Sequence, residues 1–184
     1  MTRWQQMMLD YGSAHRNRIN VWMHVVGVPI IVLGVLTTAA AASTTVAGIT
    51  VSGAWLVAVA GLVFYWGLDR NLTAVIAPVM LVEIVLAQAI ASAGASAALA
   101  WGIGMFVGGF VFQFIGHAIE GRKPALMNGN PIVAMMTAPL FIVAELLFVA
   151  GKRADLEDFL SVELARLDAA GADAADAVPV PTPA

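Results

Sequence analysis

The sequence predicts an all-α membrane protein with four transmembrane helices, a re-entrant or fifth hydrophobic segment, and a C-terminal amphipathic helix. Three observations lead there. No Asp, Glu, Lys or Arg occurs from Ile19 to Leu68 or from Ile84 to Ile119. About 20 apolar residues cross a bilayer core, so each stretch holds at least one helix and the first holds two. Across the chain 60% of residues are hydrophobic and only 11% charged, which is far from the balance of a soluble domain.

Taken in order, Thr2 to Asn20 is a polar-aromatic leader carrying Arg3, Asp10, Arg16 and Arg18. A long apolar run and further spans follow it, which does not fit a cleavable signal peptide. The first span covers about Val21 to Ala42, with Asn20 as its N-cap and Trp22 at headgroup level. Ser43 to Thr45 makes a short uncharged turn. A second span, about Val46 to Trp66, closes on the interfacial pair Tyr65 and Trp66, and Asp69, Arg70 and Asn71 form the next turn. The third span covers about Leu72 to Ser92, with Glu83 in its middle. After the turn Gly94-Ala95-Ser96, a fourth runs from about Ala97 to Ile119. Its Gly104, Gly108 and Gly109 allow close helix approach, either within the chain or between the subunits of a homo-oligomer.

The apolar segment from about Ile132 to Ala150 is less regular. Pro131 precedes it, Pro139 interrupts it and Glu145 lies inside it. A full crossing would carry Lys152 and Arg153 to the outside, so a re-entrant or broken hairpin is preferred over a fifth span. Leu156, Phe159, Leu160, Leu164 and Leu167 then repeat at helical spacing, as an amphipathic helix on the membrane surface does. The organisation expected is a leader over 1–20, a helical membrane domain over 21–150, an interfacial helix over 151–167 and a disordered tail over 168–184.

Positive charge sets the topology. Arg16 and Arg18 lie in the leader, Arg70 in the second turn, and Arg122 and Lys123 after the fourth span, while the turns after spans one and three carry no charge. The leader, the second turn and residues 120–130 are therefore cytoplasmic. The alanine-rich spans suit a bacterial inner membrane better than the endoplasmic reticulum. The net charge of −3 with scattered basic residues excludes a nucleic-acid partner. No Cys is present, which removes disulfides, thiolate metal sites and cysteine nucleophiles.

This topology brings the three histidines of the chain, His15, His24 and His117, to one membrane face. Any one of them alone reads as a hydrogen-bonded interfacial residue; together they form a candidate metal site. On one continuous helix His15 and His24 would be separated by about 13.5 Å and half a turn. Sharing a metal thus demands a helix break within Arg16-Asn17-Arg18-Ile19-Asn20. Gln113, His117 and Glu120 form one polar stripe at i, i+4 and i+7. Imidazoles with one carboxylate and open positions are a non-haem iron(II) ligand set. Glu83 and Glu145 pair with Arg70 or a histidine, stay protonated, or join the metal. Arg122 and Lys123 either grip a substrate carboxylate or only fix the topology. The Met and Trp residues read as packing and interface anchors.

The stretch Tyr11-Gly12-Ser13-Ala14-His15-Arg16-Asn17-Arg18-Ile19-Asn20, with His24 and Gly27-Val28-Pro29, resembles the first motif of one membrane family. Phe112-Gln113-Phe114-Ile115-Gly116-His117, with Glu120 and Arg122-Lys123-Pro124-Ala125-Leu126, resembles its second. Ala138-Pro139 with Glu145 resembles a third, weaker one. The family is that of the fungal 2-hydroxy fatty acid dioxygenase of alpha-oxidation, and the resemblance runs from about Tyr11 to Phe148. It implies an iron(II)-dependent membrane enzyme that uses molecular oxygen to shorten a 2-hydroxy fatty acid by one carbon, releasing carbon dioxide. It further implies His15, His24 and His117 as iron ligands, Glu120 as the acidic position, and Asn20 as a residue orienting a histidine. Such a substrate chelates iron through carboxylate and hydroxyl, with its alkyl chain between the helices or in lipid. The alternatives are a membrane scaffold with structural histidines, or a metal transporter or sensor. A transporter needs polar groups across the bilayer, where only Glu83 and Glu145 lie mid-span.

Overall fold

The computed structural model describes residues 1–127 and 130–176. Helix α1 (Arg3–Ser13) opens with a capping box, in which Thr2 and Gln5 each accept from the other's backbone N–H. Helix α2 (Arg18–Ala40) opens at Asn17, whose Oδ1 accepts from Ile19 N at 2.8 Å. The break between the first two histidines is therefore real, but it falls at Ala14 to Asn17. Asn20 is not the cap: it lies inside α2 and is completely buried.

Strands β1 (Ser43–Val46) and β2 (Ile49–Ser52) form an antiparallel hairpin with Ser43 opposite Ser52. Its two-residue turn, Ala47-Gly48, has φ of 50° and 81°, the doubly left-handed turn that matches strand twist. A three-residue turn and the start of a span were expected there. Because the hairpin takes those residues, α3 (Gly53–Trp66) has only 14, about 21 Å of helix against a core of about 30 Å. Asp69 caps α4 (Arg70–Ala91) through Leu72 N at 2.9 Å. Helix α5 (Ala95–Glu120) stops at Gly121, where φ is 73°, a left-handed end that glycine adopts freely. A short 3₁₀ turn (Ala125–Met127), α6 (Pro131–Val149) and α7 (Ala154–Asp176) complete the chain.

Among the described residues, four helices are long and apolar enough to cross a membrane: α2, α4, α5 and α6. The all-α membrane class and the count of four stand, but α6 replaces α3 among the long helices. Helix α6 passes through Pro139 without interruption, so it is not a broken hairpin. Its path is nonetheless re-entrant in one respect. Glu145, Leu146 and Val149 lie beside Arg18, Val21 and Trp22, while Ala134 and Met135 share a cavity with Val32 and Val35. Helix α6 therefore runs antiparallel to α2. The chain leaves α5 where Arg122 bonds Ser13 O and returns to the same end, where Arg153 pairs with Asp69 at 3.0 Å. Helix α6 makes the ascent to that end.

The centre of the bundle is α2, packed most extensively on α5. A β-carbon at Gly34 would lie 2.7 Å from both Gly102 O and Phe106 N, and one at Gly109 would lie 2.6 Å from Ile31 Cγ1. Backbones this close replace side-chain contacts with dispersion between main chains. Of the glycines expected to pack, Gly109 does so, whereas Gly104 and Gly108 have nothing within 4 Å. Helix α7 lays its apolar face on α1, burying Leu156 and Leu160, so α1 occupies the face expected to meet the membrane. It stays helical through Asp176, past the point where the tail was expected to begin; residues 177–184 lie outside the described residues.

Candidate metal centre

His15 follows the end of α1, His24 lies in the second turn of α2, and His117 in the last turn of α5. All three are buried, and one ligand nitrogen from each lies within 4.8 Å of the others. The turn at Ala14 to Asn17 makes this possible by folding α1 back over the start of α2. Among the described residues no other group of this kind exists; neither Glu83, Glu145 nor Glu120 belongs to it.

The hydrogen bonds determine which nitrogens face inward. His15 Nδ1 lies 2.6 Å from Tyr11 O, and His24 Nδ1 lies 2.9 Å from Asn20 O. A carbonyl only accepts, so each Nδ1 carries the proton and each Nε2 presents a lone pair. Those two Nε2 atoms are 3.1 Å apart. Burial first, and the nearness of His24 second, hold the His15 pKa down to about 2, so a proton does not fill the gap. Two bare acceptors at hydrogen-bond distance in a buried site repel, and a cation held by both removes the repulsion. The donor set thus fits a metal. Neutral imidazoles suit iron, zinc, copper and nickel alike, and three protein ligands leave positions open for a substrate.

Asn20 ties the elements together. Its Nδ2 donates to Glu120 Oε2 at 2.6 Å and lies 3.3 Å from His117 Nδ1, while its carbonyl holds His24. Gly116 leaves room for the amide; a β-carbon there would strike Asn20 Oδ1. The other oxygen of Glu120, Oε1, accepts from Arg16 N at 2.6 Å. Glu120 therefore clamps the α1–α2 turn to α5 and puts negative charge behind the imidazoles. Arg122 stands 3.8 Å from Glu120 and donates to Ser13 O at 2.8 Å, so it braces the same turn. Lys123 is exposed. Neither cation lines the main cavity. Glu83 is buried on α4, and Glu145 shares a side cavity of about 220 Å³ with Arg16 and Arg18.

Two aromatic residues escaped the sequence reading. The Tyr11 ring stacks on His15 with centroids 4.1 Å apart and planes 7° from parallel, and the Phe141 ring lies 5.5 Å from His15. The signal for Tyr11 was its i, i+4 relation to His15. Phe141 belongs to α6 and had no sequence signal at all.

From the histidines a cavity of about 610 Å³ runs along α2 past Val28, Ile31 and Val35 to Leu36, about 18 Å of helix from His24. This is the size of a small-molecule site. Its far wall is Val57, Met80, Met135 and Met136, and Phe110 and Phe114 of α5 stand at its side. Helix α6 packs on α1, α2 and α4 but not along α5.

Residues 1–150 match the family model described as 2-hydroxy-palmitic acid dioxygenase Mpo1-like. The chain belongs to the Mpo1-like family. A relative from Saccharomyces cerevisiae, 2-hydroxy-palmitic acid dioxygenase MPO1, is 44% identical over 50 residues, which make up 27% of this chain and 28% of the relative. No solved structure matches the chain. The family assignment agrees with the resemblance read from the two histidine motifs.

Proposed function

We propose that this chain is a membrane dioxygenase that shortens a 2-hydroxy fatty acid by one carbon, using iron(II) held by His15, His24 and His117. The observation that carries this reading is a cluster of three buried imidazoles at the head of a long apolar cavity. Membership of the Mpo1-like family, and the activity in the yeast relative's name, supply the substrate class.

The reaction balances without another reductant. A 2-hydroxy acid and one dioxygen give the acid one carbon shorter, carbon dioxide and water. The bond between C1 and C2 breaks, and four electrons pass from substrate to dioxygen. Iron(II), when bound, supplies the redox centre where the chelating acid and dioxygen meet. The protein supplies the rest. Tyr11 O and Asn20 O fix the tautomers of His15 and His24, and Asn20 with Glu120 holds the turn that carries His15 against α5. The apolar cavity takes the alkyl chain and keeps water from the reacting carbons. Arg122 acts through the turn it braces, while exposed Lys123 attracts the carboxylate at the cytoplasmic face.

The test is the iron content of detergent-purified protein after anaerobic iron(II) loading, wild type against His117→Ala, followed by 2-hydroxyhexadecanoic acid labelled at C1. Near-stoichiometric iron lost in the variant, with label released as carbon dioxide by wild type alone, is the expected outcome. Absence of iron in both proteins after loading would falsify the metal site and leave a structural membrane protein.

A further inference from the structure

The Tyr11 ring forms part of the main cavity wall, stacked on His15 and edge-on to His24, with centroids 4.1 and 6.3 Å away. Its backbone carbonyl holds His15, but its hydroxyl has no hydrogen-bond partner. Among the described residues, the unpaired side-chain atoms shut off from solvent are Asn20 Oδ1, Thr37 Oγ1, Ser52 Oγ and Gln113 Nε2. The Tyr11 hydroxyl is not one of them, so it keeps accessible surface although the residue as a whole is buried. Tyr11 borders the main cavity and not the side cavity, and the surface its hydroxyl keeps faces the former. A phenol is protonated at neutral pH and donates. This one is a donor aimed at whatever occupies the cavity beside the histidines.

The charge of an acid identifies what this donor meets. Arg122 and Lys123 lie outside the cavity, and its walls Val28, Phe114, Ala138 and Pro139 are apolar. A carboxylate that gives one oxygen to a metal keeps a second, and in an apolar site that oxygen is costly to bury without a donor. The other polar side chains do not serve it. The Nδ1–H groups of His15 and His24 already meet carbonyls, Gln113 Nε2 is shut off, and Tyr65 lies beside Gly61 and Met80. We propose that Tyr11 donates its hydroxyl hydrogen to the carboxylate oxygen that the metal leaves free, and so selects acids among long-chain amphiphiles. This rests on the reading of the histidine cluster as a metal that binds the head of the acid. The stack on His15 keeps the phenol within reach of a head group held there. A site built around such a bond rejects an analogue that lacks the acceptor far more strongly than a cavity of matched shape does.

The test is anaerobic binding to the iron-loaded protein, where no turnover occurs, comparing wild type with Tyr11→Phe. The variant keeps the ring, its stack on His15 and the backbone carbonyl, so its melting temperature and iron content match those of wild type. The probes are 2-hydroxyhexadecanoic acid, hexadecanoic acid and hexadecane-1,2-diol, which has the same chain without the carboxylate. Tyr11→Phe loses about 10- to 100-fold in affinity for both acids, as expected for a hydrogen bond to a charged group, and keeps its affinity for the diol. Equal losses for all three probes would assign the phenol to packing and overturn the proposal. A loss confined to the 2-hydroxy acid would place the bond on the C2 oxygen and overturn it too, as would unchanged binding of both acids. Loss of iron in the variant would make the phenol a ligand instead of a donor to the acid. Wild type that holds no iron, or binds the acids equally well without it, overturns the metal reading and this proposal together. Iron-dependent binding of the acids that Tyr11→Phe leaves untouched overturns this proposal alone.

Discussion

Replacing Glu120 by Gln separates a clamp from a ligand. The carboxylate faces two N–H donors, Arg16 N on Oε1 and Asn20 Nδ2 on Oε2, each at 2.6 Å. Its side chain is only 4% exposed, so water cannot replace a lost partner. A carboxamide has the same shape but one acceptor end. Whichever way it turns, its NH₂ meets an N–H, so one bond is lost and the other loses its charge assistance. A hydrogen bond to a charged group contributes about 1.5–3 kcal/mol, and a buried donor left unpaired costs about 1–3 kcal/mol. These overlap, and a net destabilisation of about 2–4 kcal/mol is expected. At about 2–4 °C per kcal/mol for a chain of this size, the melting temperature falls by roughly 4–16 °C. The turn carrying His15 loosens with it, and iron affinity falls about 10- to 100-fold, as for other residues that orient a ligand from behind. Thermal melts and iron(II) titration against a competing chelator measure the two effects. Wild-type melting together with wild-type iron affinity would refute the clamp, and a complete loss of iron with an unchanged melt would make Glu120 a ligand.

Two further outcomes follow from the cavity and from His15. Val35 lines the cavity about 16 Å of helix beyond His24, so Val35→Trp closes its deep end. It should weaken a 16-carbon 2-hydroxy acid about tenfold while sparing a chain of half that length; equal effects on both would place the alkyl chain elsewhere. The metal-free protein should also be sensitive to acid. His15 titrates near 6.5 when unfolded and is held at about 2 when folded. Between those values the unfolded chain binds a proton that the folded chain does not, so this contribution is intact above pH 6.5 and is lost as the pH falls, by about 1.4 kcal/mol per unit. Denaturant melts from pH 7 to 5 check this, and His15→Gln should remove about one proton's worth of slope. A slope that persists unchanged in that variant would refute the assignment.

The convergence of the three histidines was largely legible in the sequence because geometry constrains it so tightly. Two histidines nine residues apart cannot converge on one helix, so the break before α2 was a requirement rather than a guess. The glycine face was legible too, but only Gly109 of the three glycines expected on it lies there. His117 must face His24, which puts Gly102, Gly109 and Gly116, at sevens, on the side of α5 that meets α2. Gly104 and Gly108 catch the eye only as a cluster. The hairpin was hidden because Thr44, Thr45, Val51 and their neighbours are as apolar as the start of a helix, and β-branching alone is a weak signal. The partner of α7 was not legible. An amphipathic face states that something covers it, and only the fold reveals that α1 does. Phe141 was invisible for the same reason, being brought to His15 by the return path of α6.

The packing of α7 on α1 also imposes an order in time. His117 is made about a hundred residues after His15, roughly 5–20 s later at ordinary rates of synthesis. Until then the imidazoles that will face each other have no third member. The Arg16 side chain beside His15 reaches its own partner, Asp168, at 2.7 Å, only when α7 emerges. Helix α1 is therefore completed by α7. A ribosome stalled after α6 would leave all three histidines made and α1 still without its cover from α7.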